Sequence, residues 1–280
     1  MKIILADYSG FCFGVEKAIT TTFEELKKNN TNEVISSLGP LIHNDQVVKE
    51  LQNKGVNVIN DIKDALEGSL IIRSHGVPQD IYKNAEAKGL NVIDATCPFV
   101  RRIQDIVKNH NDNGYTIVII GDPKHPEVIG INGWCDNKAL IIHNEADINK
   151  VPKVDKLCIV VQTTMSMVQY EDISNKLESY GKEVVKFNTI CLATKERQKA
   201  AEDLASKVEA MIIIGGYHSS NTQKLVAICK NIRPNSTFHV ETSSDLPLEV
   251  IKQYDLVGVT AGASTPKWII DEVIEKLRNI

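Results

Sequence analysis

The sequence has few cysteines, no long apolar run and no excess of positive charge, and each shortage excludes a class of protein. Six cysteines in 280 residues are too few for a disulfide scaffold, and in a reducing compartment they are thiols. No apolar run approaches the roughly 18 residues that cross a bilayer. The three-residue run before Asp7 is too short for the core of a signal peptide. We therefore expect a cytoplasmic protein without a membrane partner.

Charge and composition narrow the remaining classes. Lys and Arg total 32 against 36 Asp and Glu, a formal net charge of −4, whereas nucleic-acid binders usually carry a basic face. We therefore expect no nucleic-acid partner. A hydrophobic fraction of 42% and a charged fraction of 24% are typical of globular proteins.

Three of the six cysteines occupy repeated positions. Cys12, Cys97 and Cys191 each follow a short apolar or β-branched run and precede a helical pattern, and they are 85 and 94 residues apart. This spacing predicts an internal repeat of about ninety residues. The other three lie in more structural surroundings, where a free cysteine is usually a buried core residue: Cys135, Cys158 and Cys229.

Two further landmarks support the repeat. An apolar strand after each cysteine ends in a glycine, and four residues beyond that glycine a polar residue follows: His43, His125 and Ser219. A second apolar run ends just before another polar set: His75, Thr163 and Ser264. Thr163 lies 28 residues before the next cysteine, whereas His75 lies 22 residues before its own. The choice between Thr163 and Thr164 therefore stays open.

Short apolar strands that alternate with helices predict parallel sheets with helices on both faces. The last repeat ends in a helix without a following strand, and the N-terminal strand is the natural replacement. We therefore expect three similar α/β units around a pseudo-threefold axis: 13–96, 97–190, and 191–280 completed by the strand in 1–12. Because functional groups gather at the carboxyl ends of parallel strands, the landmarks should face one central cavity.

Three converging thiolates without a fourth would leave one metal position open, which suits chemistry rather than storage. Cys97 precedes Pro98, a favoured first residue of a helix, and a helix N-terminus favours the thiolate. The ligands are far apart in sequence, so three core cysteines at equivalent positions remain the alternative.

The polar landmarks stand at strand ends before helices, and converging helix N-termini bind anions. The candidate donors are His43, His75, His125, Ser219, Ser220, Asn221 and Ser264. No Gly-x-x-x-x-Gly-Lys-Ser/Thr loop is present, so a phosphate or diphosphate is favoured over a nucleotide. For Ser219, Ser220 and Asn221, helix capping is an equally good explanation.

Glu127 follows His125 by two residues in the segment HPEV. It could complement the dipole of the following helix. It could equally be a proton donor whose pKa is raised by desolvation in a closed site. The residues alone do not decide between these roles.

Nine segments in order resemble the LytB family, the 4-hydroxy-3-methylbut-2-enyl diphosphate reductases. They are GFCFGVEKAI, LIHND, RSHGVP, DATCPFV, GDPKHPEV, QTT, TICLATKERQ, GGYHSSNT and AGASTP. They run nearly from end to end of the chain. The resemblance implies a trefoil of three α/β units and the terminal step of non-mevalonate isoprenoid synthesis, giving isopentenyl and dimethylallyl diphosphate.

The resemblance also implies roles for the candidate residues. A [4Fe-4S] cluster would be held by Cys12, Cys97 and Cys191, with its fourth iron open to the substrate hydroxyl. The histidine, serine and asparagine donors would bind the diphosphate, and Glu127 with Thr163 would deliver protons. No G-x-G-x-x-G follows a strand, so two electrons would come from ferredoxin or flavodoxin. An iron–sulfur hydro-lyase, an iron–sulfur redox sensor and an α/β protein without a cluster are the alternatives.

Overall fold

The structure is a computed structural model that describes residues 1–28 and 33–280. Its strands are β1 (Lys2–Leu5), β2 (Ile35–Leu38), β3 (Val56–Ile59), β4 (Ser69–Ile72), β5 (Asn91–Asp94), β6 (Thr116–Ile120), β7 (Leu140–Ile142), β8 (Val154–Val161), β9 (Gly181–Lys186), β10 (Ala210–Ile214), β11 (Thr237–Val240) and β12 (Leu256–Ala261). Its α-helices are α1 (Phe13–Lys28), α2 (Asp45–Asn53), α3 (Gln79–Ala87), α4 (Pro98–Asp112), α5 (Pro126–Asn132), α6 (Met167–Leu177), α7 (Leu192–Ala205), α8 (Ser220–Ile232), α9 (Leu248–Ile251) and α10 (Lys267–Arg278). Within this described part of the chain, every helix is too short or too polar to cross a membrane.

The strands form three parallel four-stranded sheets with the same order. That order is β3-β2-β4-β5, β7-β6-β8-β9 and β11-β10-β12-β1. The third sheet takes its edge strand from the N-terminus, where Ile3 pairs with Val257. The predicted fold class, three small parallel-sheet α/β units, is confirmed.

The inner strands are largely buried and rich in apolar residues because both faces of each sheet are covered. In β10, Ile212 and Ile214 pack in one apolar cluster with residues of α10. Met211 and Ile213 point to the other face and pack with residues of α7 and α8. Side chains of successive strand residues alternate between the faces, so a continuous apolar run is what a doubly covered strand requires.

The chain separates into two compact units. The smaller unit comprises Met1–Val15, His43–Val47 and Leu192–Ile280, and contains the sheet β11-β10-β12-β1. The larger unit comprises Glu16–Ile42 and Val48–Cys191, and contains the other two sheets. The division into three units at residues 12, 96 and 190 stays a prediction.

Candidate active site

The three repeated cysteines occupy the same local structure. Each one directly precedes the first residue of a helix, and each side chain is partly exposed. Each backbone N–H also donates to a carbonyl oxygen just after the neighbouring strand of the same sheet: Cys12 to Ala263 (3.2 Å), Cys97 to Ser74 (2.9 Å) and Cys191 to Thr163 (3.2 Å). The repeat therefore places these thiols at three equivalent helix N-termini, where negative charge is favoured.

The other three cysteines are fully buried, as the sequence predicts. Burial raises the pKa of the Cys158 thiol to about 12, and burial likewise raises the pKa of the Cys229 thiol to about 12. The pKa of Cys135 is also raised, mainly by burial. A metal ligand or nucleophile must be a thiolate, so these three are core residues.

Strand register corrects one landmark of the repeat. In each repeat, one residue of the second apolar strand pairs with the residue two positions before the landmark glycine. These residues are Ile71, Val160 and Thr260. Four residues beyond these positions lie His75, Thr164 and Ser264. The alignment of Thr163 with His75 is wrong by one residue, because strand register and not the end of the apolar run fixes this position.

Thr163 has a different partner, the carboxyl group of Glu127. Its N–H donates to Oε1 at 2.7 Å and its hydroxyl donates to Oε2 at 2.6 Å. Glu127 lies in the first turn of α5 and is 2% exposed. Burial raises the pKa of the Glu127 carboxyl, and the two bonds from Thr163 offset part of that rise. Complementing the helix dipole does not require such burial, so the geometry favours the proton-donor role.

His125 caps the helix that carries Glu127. Its Nδ1 accepts a hydrogen bond from the Glu127 N–H at 3.2 Å. An accepting Nδ1 leaves the ring proton of the neutral tautomer on Nε2, where it can be donated to an anion. The His75 ring stands edge-on to the His125 ring, with centroids 5.5 Å apart.

Packing around Gly76 holds His75 beside α5. A Cβ on Gly130 of α5 would lie 3.1 Å from the Gly76 carbonyl oxygen, so the two backbones are in close approach. The Trp134 indole N–H donates to the Val77 carbonyl at 3.0 Å. These contacts bring His75, His125 and Glu127 together within the larger unit.

The smaller unit carries a second group of donors at the start of α8. Ser219 caps this helix by accepting from the Thr222 N–H at 3.3 Å, as capping predicts, and Ser220 is its first residue. Asn221 is 4% exposed, yet neither amide atom of its side chain has a hydrogen-bond partner within residues 1–28 and 33–280. A buried polar group without a partner is costly. Capping does not explain the burial of the Asn221 side chain.

Ser264 and His43 meet in the same unit. The Ser264 hydroxyl donates to the His43 carbonyl oxygen at 3.0 Å. A Cβ on Gly216, which lies in the loop before α8, would stand 2.8 Å from that oxygen, so only glycine fits there. His43 and Ser264 are thereby fixed to the loop that leads to Ser219.

Gln162 is a site residue that the sequence reasoning missed. It is fully buried, its Oε1 accepts from the Asp122 N–H at 3.0 Å, and its Nε2 donates to the Thr164 hydroxyl oxygen at 2.9 Å. It ties the segment after β6 to the segment after β8. An amide at the end of the apolar run CIVVQ was the signal that could have revealed it.

Comparisons with known proteins agree with these features. The family model described as LytB protein matches residues 3–278. A 4-hydroxy-3-methylbut-2-enyl diphosphate reductase of Alkaliphilus oremlandii is 56% identical over 280 residues, covering 100% of both chains. A solved (E)-4-hydroxy-3-methyl-but-2-enyl diphosphate reductase, described as the terminal enzyme of the non-mevalonate pathway, is 39% identical with a TM-score of 0.73, covering 100% of both chains. The E-1-hydroxy-2-methyl-but-2-enyl-4-diphosphate reductase of Plasmodium falciparum is 32% identical with a TM-score of 0.89, covering 98% of this chain and 86% of the other. The chain belongs to the LytB family.

Proposed function

We propose that this protein reduces 4-hydroxy-3-methylbut-2-enyl diphosphate to isopentenyl and dimethylallyl diphosphate, the terminal step of non-mevalonate isoprenoid synthesis. The full-length similarity to proteins named as this reductase supports the reaction. The observation that carries the proposal is the buried Glu127 carboxyl, held by both the N–H and the hydroxyl of Thr163. Removal of a hydroxyl group as water needs such a proton donor.

Cys12, Cys97 and Cys191 are the proposed ligands of a [4Fe-4S] cluster. The donor set fits: three partly exposed thiols stand at helix N-termini, whereas the three remaining thiols are buried in apolar clusters. Three ligands leave one iron open, and the cluster, when bound, supplies a Lewis acid for the hydroxyl oxygen and a path for single electrons.

The diphosphate is the proposed ligand of the histidine, serine and asparagine donors. In the larger unit, His75 and His125 are held side by side, and the tautomer of His125 places a proton on Nε2. In the smaller unit, the donors are His43, Ser219, Ser220, Asn221 and Ser264, grouped around the N-terminus of α8. A helix N-terminus and neutral donors bind an anion without a cluster of Lys or Arg.

Glu127 is the proposed acid that delivers protons to the substrate, with Thr163 as its positioning partner. The raised pKa of the carboxyl group keeps the proton available closer to neutral pH, as general-acid catalysis requires. The two bonds from Thr163 fix the orientation of the carboxyl group, because they engage both oxygens.

Electrons come, in this proposal, from ferredoxin or flavodoxin in the cytoplasm, because the reaction consumes two electrons and the sequence has no dinucleotide-binding fingerprint. Three ligand thiols also need a reducing compartment.

The test is anaerobic reconstitution with iron and sulfide, followed by turnover of the hydroxylated diphosphate with a one-electron donor. We expect bound iron and sulfide, and isoprenoid diphosphates only when the donor is present. Loss of water from the substrate without a donor, to a diphosphate other than isopentenyl or dimethylallyl diphosphate, would instead indicate a hydro-lyase. A cluster without turnover would indicate a redox sensor, and a colourless protein without iron would contradict the proposal altogether.

A further inference from the structure

Arg197 occupies a core position of α7. The buried face of this helix comprises Thr194, Arg197, Ala201, Leu204 and Ala205, and Arg197 is 4% exposed. The residues six positions after the other two repeated cysteines, Ala18 and Ile103, are apolar and fully buried. Packing at this position is therefore satisfied by an aliphatic side chain, and the guanidinium group of Arg197 must have another use.

The guanidinium group connects α7 to the loop that carries Cys12. Its Nη1 donates to the Ala193 carbonyl at 2.9 Å and its Nη2 donates to the Gly10 carbonyl at 2.7 Å. Gly10 is only two residues before Cys12, about 7 Å along the chain. The first turn of α7 and the cysteine loop are thus held by one rigid, planar group.

Further contacts fix the other residues of the loop that carries Cys12. The Cys12 N–H donates to the Ala263 carbonyl at 3.2 Å, and the Ser9 hydroxyl donates to the Ala6 carbonyl at 2.8 Å. Gly10 has a φ of +94°, and a Cβ there would lie 3.1 Å from Ile270 Cδ1. Only glycine adopts this backbone without strain, and this backbone directs the Gly10 carbonyl to Arg197.

We propose that Arg197 is a positioning residue for the Cys12 thiolate and, through its buried charge, favours the reduced state of the bound cluster. This inference rests on the proposed function, in which Cys12 is a cluster ligand. A guanidinium group is always protonated in proteins, and burial strengthens its effect on nearby charge. Groups that orient a metal ligand and the charges around it set both metal retention and reduction potential.

The test compares Arg197→Gln with Arg233→Gln in the full-length, anaerobically reconstituted protein. Arg233 is the matched control, because it also bonds to two carbonyl oxygens, those of Ala205 and Ser206, at the opposite end of α7. The measurements are iron per chain, the rate of iron release to a chelator, and the midpoint potential of the cluster. In Arg197→Gln we expect iron release about 10- to 100-fold faster and a more negative midpoint potential. In Arg233→Gln we expect neither change.

Arg197→Lys separates charge from position. It keeps the positive charge but loses the planar fork, so we expect a midpoint potential close to that of the unmodified protein and faster iron release. If Arg197→Gln does not fold, as judged by circular dichroism, Arg197→Lys decides: iron release at the unmodified rate overturns the positioning role.

The two proposals fail in different ways. An unmodified protein that takes up no iron contradicts the proposed function. An unmodified protein that holds iron, with Arg197→Gln matching Arg233→Gln in release rate and potential, overturns the inference about Arg197 and leaves the proposed function standing.

Discussion

Thr163 binds the two carboxyl oxygens of Glu127 with two different groups, its N–H to Oε1 at 2.7 Å and its hydroxyl to Oε2 at 2.6 Å. The N–H bond is independent of the Thr163 side chain, whereas the hydroxyl bond is not. Both bonds favour the ionised carboxylate and so work against burial, which is the largest cause of the raised pKa. The balance between burial and these two hydrogen bonds sets the pKa of the Glu127 carboxyl group.

Glu127→Gln should abolish most turnover and leave the cluster intact. The amide has the shape of the carboxyl group and can keep both contacts with Thr163, but it cannot donate a catalytic proton. We expect kcat to fall by about 10²- to 10⁴-fold, the usual contribution of a general acid, with iron content unchanged. Steady-state kinetics and iron analysis check this.

The control is Glu249→Gln, which also removes a first-turn acidic residue, here at the start of α9 and largely exposed. It should leave kcat unchanged. Turnover at the unmodified rate in Glu127→Gln would remove Glu127 from the mechanism.

The same carboxyl group should make stability depend on pH. Because burial raises the folded-state pKa of Glu127 above its ordinary value of 4.5, the unfolded chain releases this proton first as pH rises. The free energy of unfolding therefore decreases between these two pKa values, and below both values the group has no effect. Glu127→Gln has no carboxyl group at this position and should lack this decrease. The free energy of unfolding of the variant, relative to that of the unmodified protein, should therefore increase from about pH 4.5 upward. Urea unfolding at several pH values measures the difference, and an equal pH slope in both proteins would contradict it.

Thr163→Val and Thr164→Val should have different effects on kinetics. Valine at 163 removes the hydroxyl bond that lowers the pKa of Glu127, so kcat should fall and the high-pH limit of activity should move to higher pH. Thr164 shares its repeat position with His75 and Ser264, both proposed diphosphate donors, so valine at 164 should mainly raise KM. The pH profiles of kcat and kcat/KM distinguish the two variants. Identical profiles would show that register does not distinguish their roles.

The sheets and the three cysteines could be predicted from the sequence because they depend on local patterns. An apolar run that ends in glycine, as in AMIIIG, predicts a buried parallel strand wherever it occurs. A cysteine that follows a short apolar or β-branched run and precedes a helical pattern is expected at a helix N-terminus, as found for Cys12, Cys97 and Cys191. The strand order within each sheet, which the structure repeats three times, does not follow from these local patterns.

The proposed roles of Glu127, Thr164 and Asn221 depend on tertiary structure and could not be predicted in the same way. Glu127 is buried by a partner 36 residues away, and a first-turn Glu looks the same in sequence whether it is buried or exposed. Thr163 stood in the place of Thr164 because strand register, which fixes this position, cannot be read from the sequence. Asn221 fits a capping cluster by type, and only its burial without a partner distinguishes it.

The cysteines divide into two sets that should respond differently to substitution. Serine in place of Cys12, Cys97 or Cys191 should remove most of the bound iron and the brown colour, because a hydroxyl group is a poor substitute for a thiolate ligand. Alanine in place of Cys158 or Cys229 should leave iron content intact and cost about 1 kcal/mol of stability, the effect of a small cavity. Iron analysis and the visible spectrum check both sets. Iron loss in either alanine variant would reopen the ligand assignment.

Asn221→Leu should make the ligand-free protein more stable and at the same time weaken its response to diphosphate. Leucine has a similar volume and removes two buried polar atoms that lack partners, each of which costs about 1–3 kcal/mol. Inorganic diphosphate should raise the melting temperature of the unmodified protein, and this rise should shrink in the variant. The control is Asn231→Leu, an exposed position on the same helix, which should keep the full rise. If Asn221→Leu lowered the stability without ligand and retained the full response, Asn221 would be a structural residue of α8 and not a diphosphate donor.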